Sequence, residues 1–457
     1  MKNIDKYNLI IINSLFIIFP ISMILGNLFI NLNTLLFCFS TLFFLKKKTI
    51  KFDIIFFDKI ILIFFFYTFL TLFINNFEGH SSENKMNYLY WDGGEYFPKY
   101  VVYKTLSYLR YLILYLVIRV LMSQNILRLN WFSWTCAACA AFVLLDIFFQ
   151  SIFGKNLFGM IPIGDRHYSG VFGEELIAGG YLQKFALFFL FLPFVLKKST
   201  FQKFIIQLII FIIFVLGISL TGNRMPLVLF IFSFFIYFLL INELRKYFFA
   251  LLIFVFLFLS LNFSLNQTFK KNILTFYVGG VNLVNTFFVK DIAENSKLFA
   301  VSSFGYTAEK IKDNSSHLYD WQRPYVTEFQ CFKIIWKKNP IFGGGLRSYR
   351  THVGGCNTHP HNYYFEILSD LGLLGLSIIL IFVFMLLRDI LIKKNNITKL
   401  SFNVISNKIM PFFLIFFIEF FPLRTSGSFF STSSATVIFI VLPILVSLIS
   451  IKKNYKY

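Results

Sequence analysis

The sequence predicts an all-α membrane protein with about twelve transmembrane helices and one long loop on the outer face. Three observations carry this. The 457 residues are 57% hydrophobic and only 14% charged, against about 25% charged in a soluble domain. Apolar stretches long enough to cross roughly 30 Å of hydrocarbon recur along the chain. Lys and Arg gather at alternate joints between those stretches, as the positive-inside rule requires. A cytosolic globular protein, a disordered chain and a small disulfide scaffold are excluded by this composition.

The apolar stretches lie at roughly 8–25, 28–45, 54–74, 101–121, 131–152, 177–196, 204–220, 225–241, 247–263, 364–387, 409–423 and 432–451. They read as helices, because a β-barrel strand would be about ten residues of alternating polarity. Gly26-Asn27 and Gly222-Asn223-Arg224 are the joints between closely spaced spans. Lys46 to Lys51, Arg119 with Arg128, Lys197-Lys198, Arg245-Lys246, Lys393-Lys394 with Lys399 and Lys408, and Lys452-Lys453 fall on one face. That face is read as the cytoplasm, with both termini on it. The start, Met1 to Lys6 before an apolar run, resembles a signal anchor and carries no small-residue cleavage site, so it is expected to be retained. The organisation expected is 1–263 with about nine spans, an outer loop over 264–362, and 363–457 with about three.

The excess of 43 Lys+Arg over 22 Asp+Glu follows the span joints, so it is assigned to orientation and no nucleic-acid partner is expected. The 66 phenylalanines reflect an AT-rich codon usage more than stacking sites. All six histidines, His80, His167, His317, His352, His359 and His361, fall in the outer segments. Chemistry is therefore expected outside.

Within the long loop, Pro324 opens a helix over 324–338, since proline suits a first turn whose N–H has no partner. Tyr325, Phe329, Phe332, Ile335 and Trp336 recur at helical spacing, with Glu328, Lys333 and Lys337 on the other side, and Asn339-Pro340 ends it. Such an amphipathic helix lies on the membrane surface or packs against the bundle. Gly343-Gly344-Gly345 reads as a flexible turn; no Lys-Ser/Thr pair follows to make a phosphate loop.

Cys38, Cys136 and Cys139 sit in spans as packing residues. Cys331 and Cys356 fall in the outer loop, where an oxidising compartment permits a disulfide. His352, Cys356, His359 and His361 match no standard zinc spacing, so no metal is expected. No Asp-X-Asp pair stands on the outer face to hold Mg²⁺ on a nucleotide sugar. Arg224 sits in an outer joint, against the orientation rule. Arg323 lies beside the positive end of the proline-started helix. Both suit an anion, and the planar guanidinium fits phosphate best; each also fits an interfacial anchor or a salt bridge.

His361-Asn362, the nine residues Tyr363 to Leu371, and Gly372-Leu373-Leu374-Gly375 resemble the His-Asn, nine-residue spacer, Gly-x-x-Gly motif of the O-antigen ligase and O-antigen polymerase family. Arg323 through Trp336 to Asn339-Pro340 and Gly343-Gly344-Gly345 is similar to that family's arginine, helix, Asn-Pro and glycine run. Thr221-Gly222-Asn223-Arg224 resembles its Ser-Arg joint, with Asn223 in place of serine. Arg166 to Gly173 resembles the arginine-and-glycine segment before its middle spans.

The resemblance implies a fold akin to the C-type glycosyltransferases and a metal-independent, cofactor-free transfer at the periplasmic side of a bacterial inner membrane. It implies a polyprenyl-diphosphate-linked glycan as donor and the lipid A-core or another glycan as acceptor. His361 would be the base. Arg224, Arg323 and Arg166 would hold the diphosphate, with Asn362 and His359 in support; Asn362 would hold the ring or bind sugar hydroxyls. Ligase and polymerase differ only in acceptor; the motif set leans towards ligase. A lipid-linked glycan flippase is the rival from another class, but it should show related halves, and none is read.

Overall fold

The computed structural model describes residues 2–45, 52–77, 97–162, 168–191, 200–240, 323–351, 359–397 and 402–450, with a few single residues between 253 and 274. Among these every regular element is helical. In chain order they are α1 (Lys2–Leu25), α2 (Asn27–Leu45), α3 (Phe56–Phe77), α4 (Phe97–Tyr108), α5 (Arg110–Ser123), α6 (Leu129–Phe153), α7 (Ala178–Phe191), α8 (Thr200–Leu220), α9 (Arg224–Leu240), α10 (Arg323–Lys338), α11 (Tyr363–Ile397), α12 (Phe402–Glu419) and α13 (Thr432–Ser450).

Among the described residues, eight stretches are long and apolar enough to cross a membrane: Tyr7–Leu25, Asn27–Leu45, Phe56–Ile74, Val101–Ser123, Leu129–Phe153, Phe201–Leu220, Tyr363–Ile390 and Thr432–Ser450. Each coincides with an expected span. Arg224–Leu240 and Ile409–Glu419 are shorter apolar helices, at the expected 225–241 and 409–423. Of the expected 177–196, residues 178–191 are α7; 192–196 and most of 247–263 lie outside the described residues. The protein is thus an all-α polytopic membrane protein.

Backbone chemistry sets the joints. Gly26, at φ +99°, separates α1 from α2, and Gly222, at φ +71°, turns the chain between α8 and α9; glycine adopts this conformation without steric penalty. The expected span at 101–121 runs through α4 and α5, which meet at Leu109, itself in the right-handed helical region at φ −58° and ψ −21°. Phenylalanine fills the interfaces: Phe16 stacks on Phe132 at 4.6 Å and Phe211 on Phe234 at 4.0 Å. α13 is enclosed on almost every side, with α5 and α12 among its neighbours.

At the end of α5 away from α4, Arg119 is buried rather than solvated. Its Nε and Nη2 donate to the two oxygens of Asp58 at 2.8 and 3.1 Å, and its Nη1 donates to Ser447 at 2.6 Å. Tyr115 donates to the same carboxylate at 2.7 Å. This bidentate pair staples α3, α5 and α13 together. Arg119, expected among the cytoplasmic charges, is therefore neutralised by Asp58; its neighbour Arg128 is exposed and remains a charge that water can reach.

Candidate active site

The start of α11 organises the end of the bundle that carries His361. Asn362 caps the helix: its Oδ1 accepts from the N–H groups of Tyr364 and Phe365 at 2.9 and 3.2 Å. Its Nδ2 donates to the carbonyls of Pro422 and Arg424 at 2.9 and 3.0 Å. The amide is thus spent on backbone. Asn362 holds the chain on which His361 is mounted, and the expectation that it holds the imidazole or binds sugar hydroxyls is replaced by this role.

Three more side chains of the same turn grip the segment between α12 and α13. Tyr363 donates to Glu419 at 2.8 Å, and Tyr364 donates to the carbonyl of Phe420. Glu366 accepts from the Ser428 hydroxyl and the Phe429 N–H, each at 2.6 Å. Residues 419–429 are thereby locked to the turn that follows His361. The Ser/Thr run beyond them begins α13, and the Ser431 hydroxyl accepts from the Ser434 N–H at 3.3 Å.

His361 has φ +50°, one of three non-glycine residues with positive φ among the described residues. Such a conformation persists only where its surroundings enforce it, and it collects at functional sites. The side chain is half-buried. Burial lowers its pKa below the ordinary histidine value, because the charged imidazolium is the form that desolvation disfavours. The ring of His359 stands 4.2 Å away, centroid to centroid. A neutral imidazole on a fixed backbone can accept a proton.

Below this turn, α11 is not continuous. Gly372 has φ +63° and ψ −166°, so the helix breaks there. Ile341 to Gly345 crosses at the break: the N–H groups of Gly344 and Gly345 donate to the carbonyls of Ser369 and Asp370, and those of Leu373 and Leu374 to Pro340 and Ile341. A Cβ on Gly372 would stand 2.3 Å from the Ile341 oxygen, and one on Gly343 2.4 Å from the Leu371 nitrogen. Tyr67 of α3 donates to the carbonyls of Phe342 and Leu371 at 3.0 and 2.9 Å. Asp370 accepts from the Arg347 N–H at 2.7 Å and the Ser348 hydroxyl at 2.9 Å. The three glycines, expected as a flexible turn, form a fixed crossing.

α10 begins at Arg323 itself, with Pro324 in its first turn, and ends where Asn339-Pro340 was expected to end it. Its apolar side packs on the bundle: Cys331, Phe332 and Ile335 are buried with Tyr349, against Phe365 and Leu368 of α11. The rings of Phe332 and Phe365 stack at 4.4 Å. Glu328, read as part of the polar face, is buried and accepts from the Tyr349 hydroxyl at 2.7 Å; Lys333 and Lys337 are exposed. Cys331 is disulfide-bonded. Cys356, its expected partner, lies outside the described residues, as does the side chain of Arg323.

Arg224 is the first residue of α9, so the positive end of that helix adds to its charge. Asn223 anchors the joint: its Oδ1 accepts from the Gly179 N–H at 3.1 Å and its Nδ2 donates to the Leu176 carbonyl at 3.2 Å. The Tyr168 N–H donates to the Leu220 carbonyl at 3.4 Å, which brings the 168–179 segment onto the Arg224 turn. Arg166 and His167 lie outside the described residues. An apolar groove of about 1050 Å³ runs between α1 and α6, and Phe158, Met160 and Val171, from the chain between α6 and α7, form part of its wall. Among the described residues no three His, Cys, Asp or Glu side chains converge as metal ligands would.

Lys184, Glu366, Glu419 and Arg424 were not singled out from the sequence, and all four are buried. The signal that could have found Lys184 and Glu419 is a lone charge in an apolar run, which a membrane protein keeps for a reason.

Residues 209–380 match the family described as O-antigen ligase. The matched stretch contains Arg224, Arg323, His361, Asn362, Gly372 and Gly375, and leaves Arg166 outside. A comparison with curated proteins found no match. The family match supports the O-antigen ligase family. With the apolar helices it supports a multi-pass bacterial membrane protein of lipopolysaccharide biosynthesis, a glycosyltransferase of the ligase or polymerase type acting on lipid-linked glycans.

Proposed function

We propose that this O-antigen ligase-type glycosyltransferase moves a polysaccharide from polyprenyl diphosphate to the lipid A-core, on the periplasmic face of the inner membrane, with His361 as general base and both termini cytoplasmic. The observation that carries the reading is the mounting of His361. It is half-buried, has its pKa lowered by burial, and stands in a left-handed conformation next to Asn362, whose side chain caps α11 and ties it to the Pro422 and Arg424 carbonyls.

In this reaction an acceptor hydroxyl oxygen attacks the anomeric carbon of the donor sugar. The bond from that carbon to the phosphate oxygen breaks, and its electron pair leaves with the diphosphate. The hydroxyl proton passes to His361, which returns it to water. Arg224, at a helix N-terminus, stabilises the charge gathering on the diphosphate. Arg323 and Arg166 are assigned the same task on the resemblance alone. The bond to diphosphate is already activated, so the chain's residues need supply only orientation, charge and a base. The α1–α6 groove offers an apolar surface to the donor's lipid beside the segment that packs on the Arg224 turn.

Surface glycolipid from a deletion strain tests the reading. Long chains left on the carrier lipid, with an unsubstituted core, are expected. Single repeat units on the core would make the protein a polymerase. Carrier-linked glycan accumulating on the cytoplasmic face would make it a flippase.

A further inference from the structure

Two parts of the proposed site sit on different elements: Arg224 opens α9, and His361 precedes α11. α7 contacts the surroundings of both. Its first turn is held at the Arg224 joint by Asn223, and a Cβ on Gly179 would stand 2.6 Å from the Thr221 hydroxyl, so α7 packs closely on the side chains of that joint. One turn further, Lys184 reaches Glu419 at 3.2 Å, and Arg424 reaches the same carboxylate oxygen at 2.9 Å. Tyr363 donates to the other oxygen at 2.8 Å. The Arg424 guanidinium lies 4.5 Å from the centre of the Tyr363 ring, and its Nε donates to the Ser426 carbonyl at 2.8 Å. The Arg424 carbonyl is one of the two that hold the Asn362 amide. Lys184, Glu419 and Arg424 are 7%, 1% and 3% exposed, so a substrate does not reach them.

We propose that the buried Lys184–Glu419–Arg424 cluster, with Tyr363, is the positioning device that fixes His361 relative to Arg224. Buried charges of this kind add little net stability compared with an apolar replacement, but they specify one geometry, since removing a partner leaves a charge unpaired. The linkage is a continuous run of contacts: the Arg224 joint, the first turn of α7, Lys184, Glu419, Tyr363 or Arg424, Asn362, and the backbone of His361. A displacement of about 1 Å between base and leaving-group cations is enough to lower a rate on the order of a hundredfold, whereas donor binding, spread over lipid and glycan, is little affected. The proposal rests on the assignment of His361 and Arg224 above.

The test is steady-state transfer from purified lipid-linked donor by Glu419→Gln, Arg424→Lys, Arg424→Met and Tyr363→Phe, each in the full chain, beside His361→Ala. Glu419→Gln is expected to lower kcat about 10–100-fold while KM for the donor stays within about twofold. Arg424→Lys is expected to retain more kcat than Arg424→Met. Tyr363→Phe leaves no charge unpaired, so it reports even where Glu419→Gln does not accumulate; its kcat is expected to fall about 3–10-fold at unchanged KM, the scale of one hydrogen bond. Wild-type kcat in Tyr363→Phe, or a raised KM at unchanged kcat in any variant, overturns the proposal. An active His361→Ala overturns instead the assignment beneath it.

Discussion

At the scale of the residue, the environment of His361 determines what it can do. A histidine whose pKa is lowered by burial stays neutral to a lower pH than a free one, so the form that accepts a proton persists further into acid. The acidic limb of kcat/KM, which reports the free enzyme, is therefore expected below the ordinary histidine value of about 6.5. A pH–rate profile checks this; an acidic limb above that value would show a protonated resting imidazole. The same burial works on stability in the same direction. The unfolded chain takes up the proton first as pH falls, so this contribution is lost between the ordinary and the lowered value. Asn362 illustrates how far sequence carries at this scale. The His-Asn pair was legible as a motif, yet the work of the asparagine was not, because its amide partners are the carbonyls of Pro422 and Arg424, some sixty residues further on.

At the scale of the element, most helices were legible from local pattern. The amphipathic spacing of 324–338 recurs as α10 within one residue, since the periodicity and the flanking Pro324 and Asn339-Pro340 are all local. The break in α11 was not, because it depends on Ile341 to Gly345 crossing there and on Tyr67 arriving from α3. Gly372→Ala places a methyl group 2.3 Å from the Ile341 oxygen at a positive φ. It is expected to destabilise the protein by at least about 2 kcal/mol, read as a lower thermal midpoint in detergent. Gly26→Ala meets no neighbour within 4 Å and carries only the backbone strain, so it is the milder control; equal midpoints would contradict the packed crossing. For α10, Cys331 and Cys356 are expected to be bonded to each other. Thiol labelling of denatured, non-reduced protein should then miss both, and free labelling of Cys356 would show another arrangement.

At the scale of the whole molecule, the alternation of Lys and Arg predicts the orientation, with the termini in the cytoplasm and the His361 end outside. An alkaline-phosphatase fusion near Ser316 is expected to be active and one after Lys48 inactive; the reverse pattern would invert the topology and put His361 on the wrong side. The composition made the membrane class legible, since 57% hydrophobic residues leave no alternative. What it could not convey is how the helix ends around His361 are joined, because the buried charges Lys184, Glu366, Glu419 and Arg424 find their partners only when distant spans pack. In the proposed reaction His361 takes the acceptor's proton. The most direct test of this step is transfer from purified lipid-linked donor by His361→Ala, with insertion and accumulation confirmed. Removal of a general base lowers a rate by a factor of about 10²–10⁴, and a loss of that size is expected, with His359→Ala milder. A His361→Ala protein that retains more than about a tenth of the wild-type rate, against that expected loss, would contradict the account.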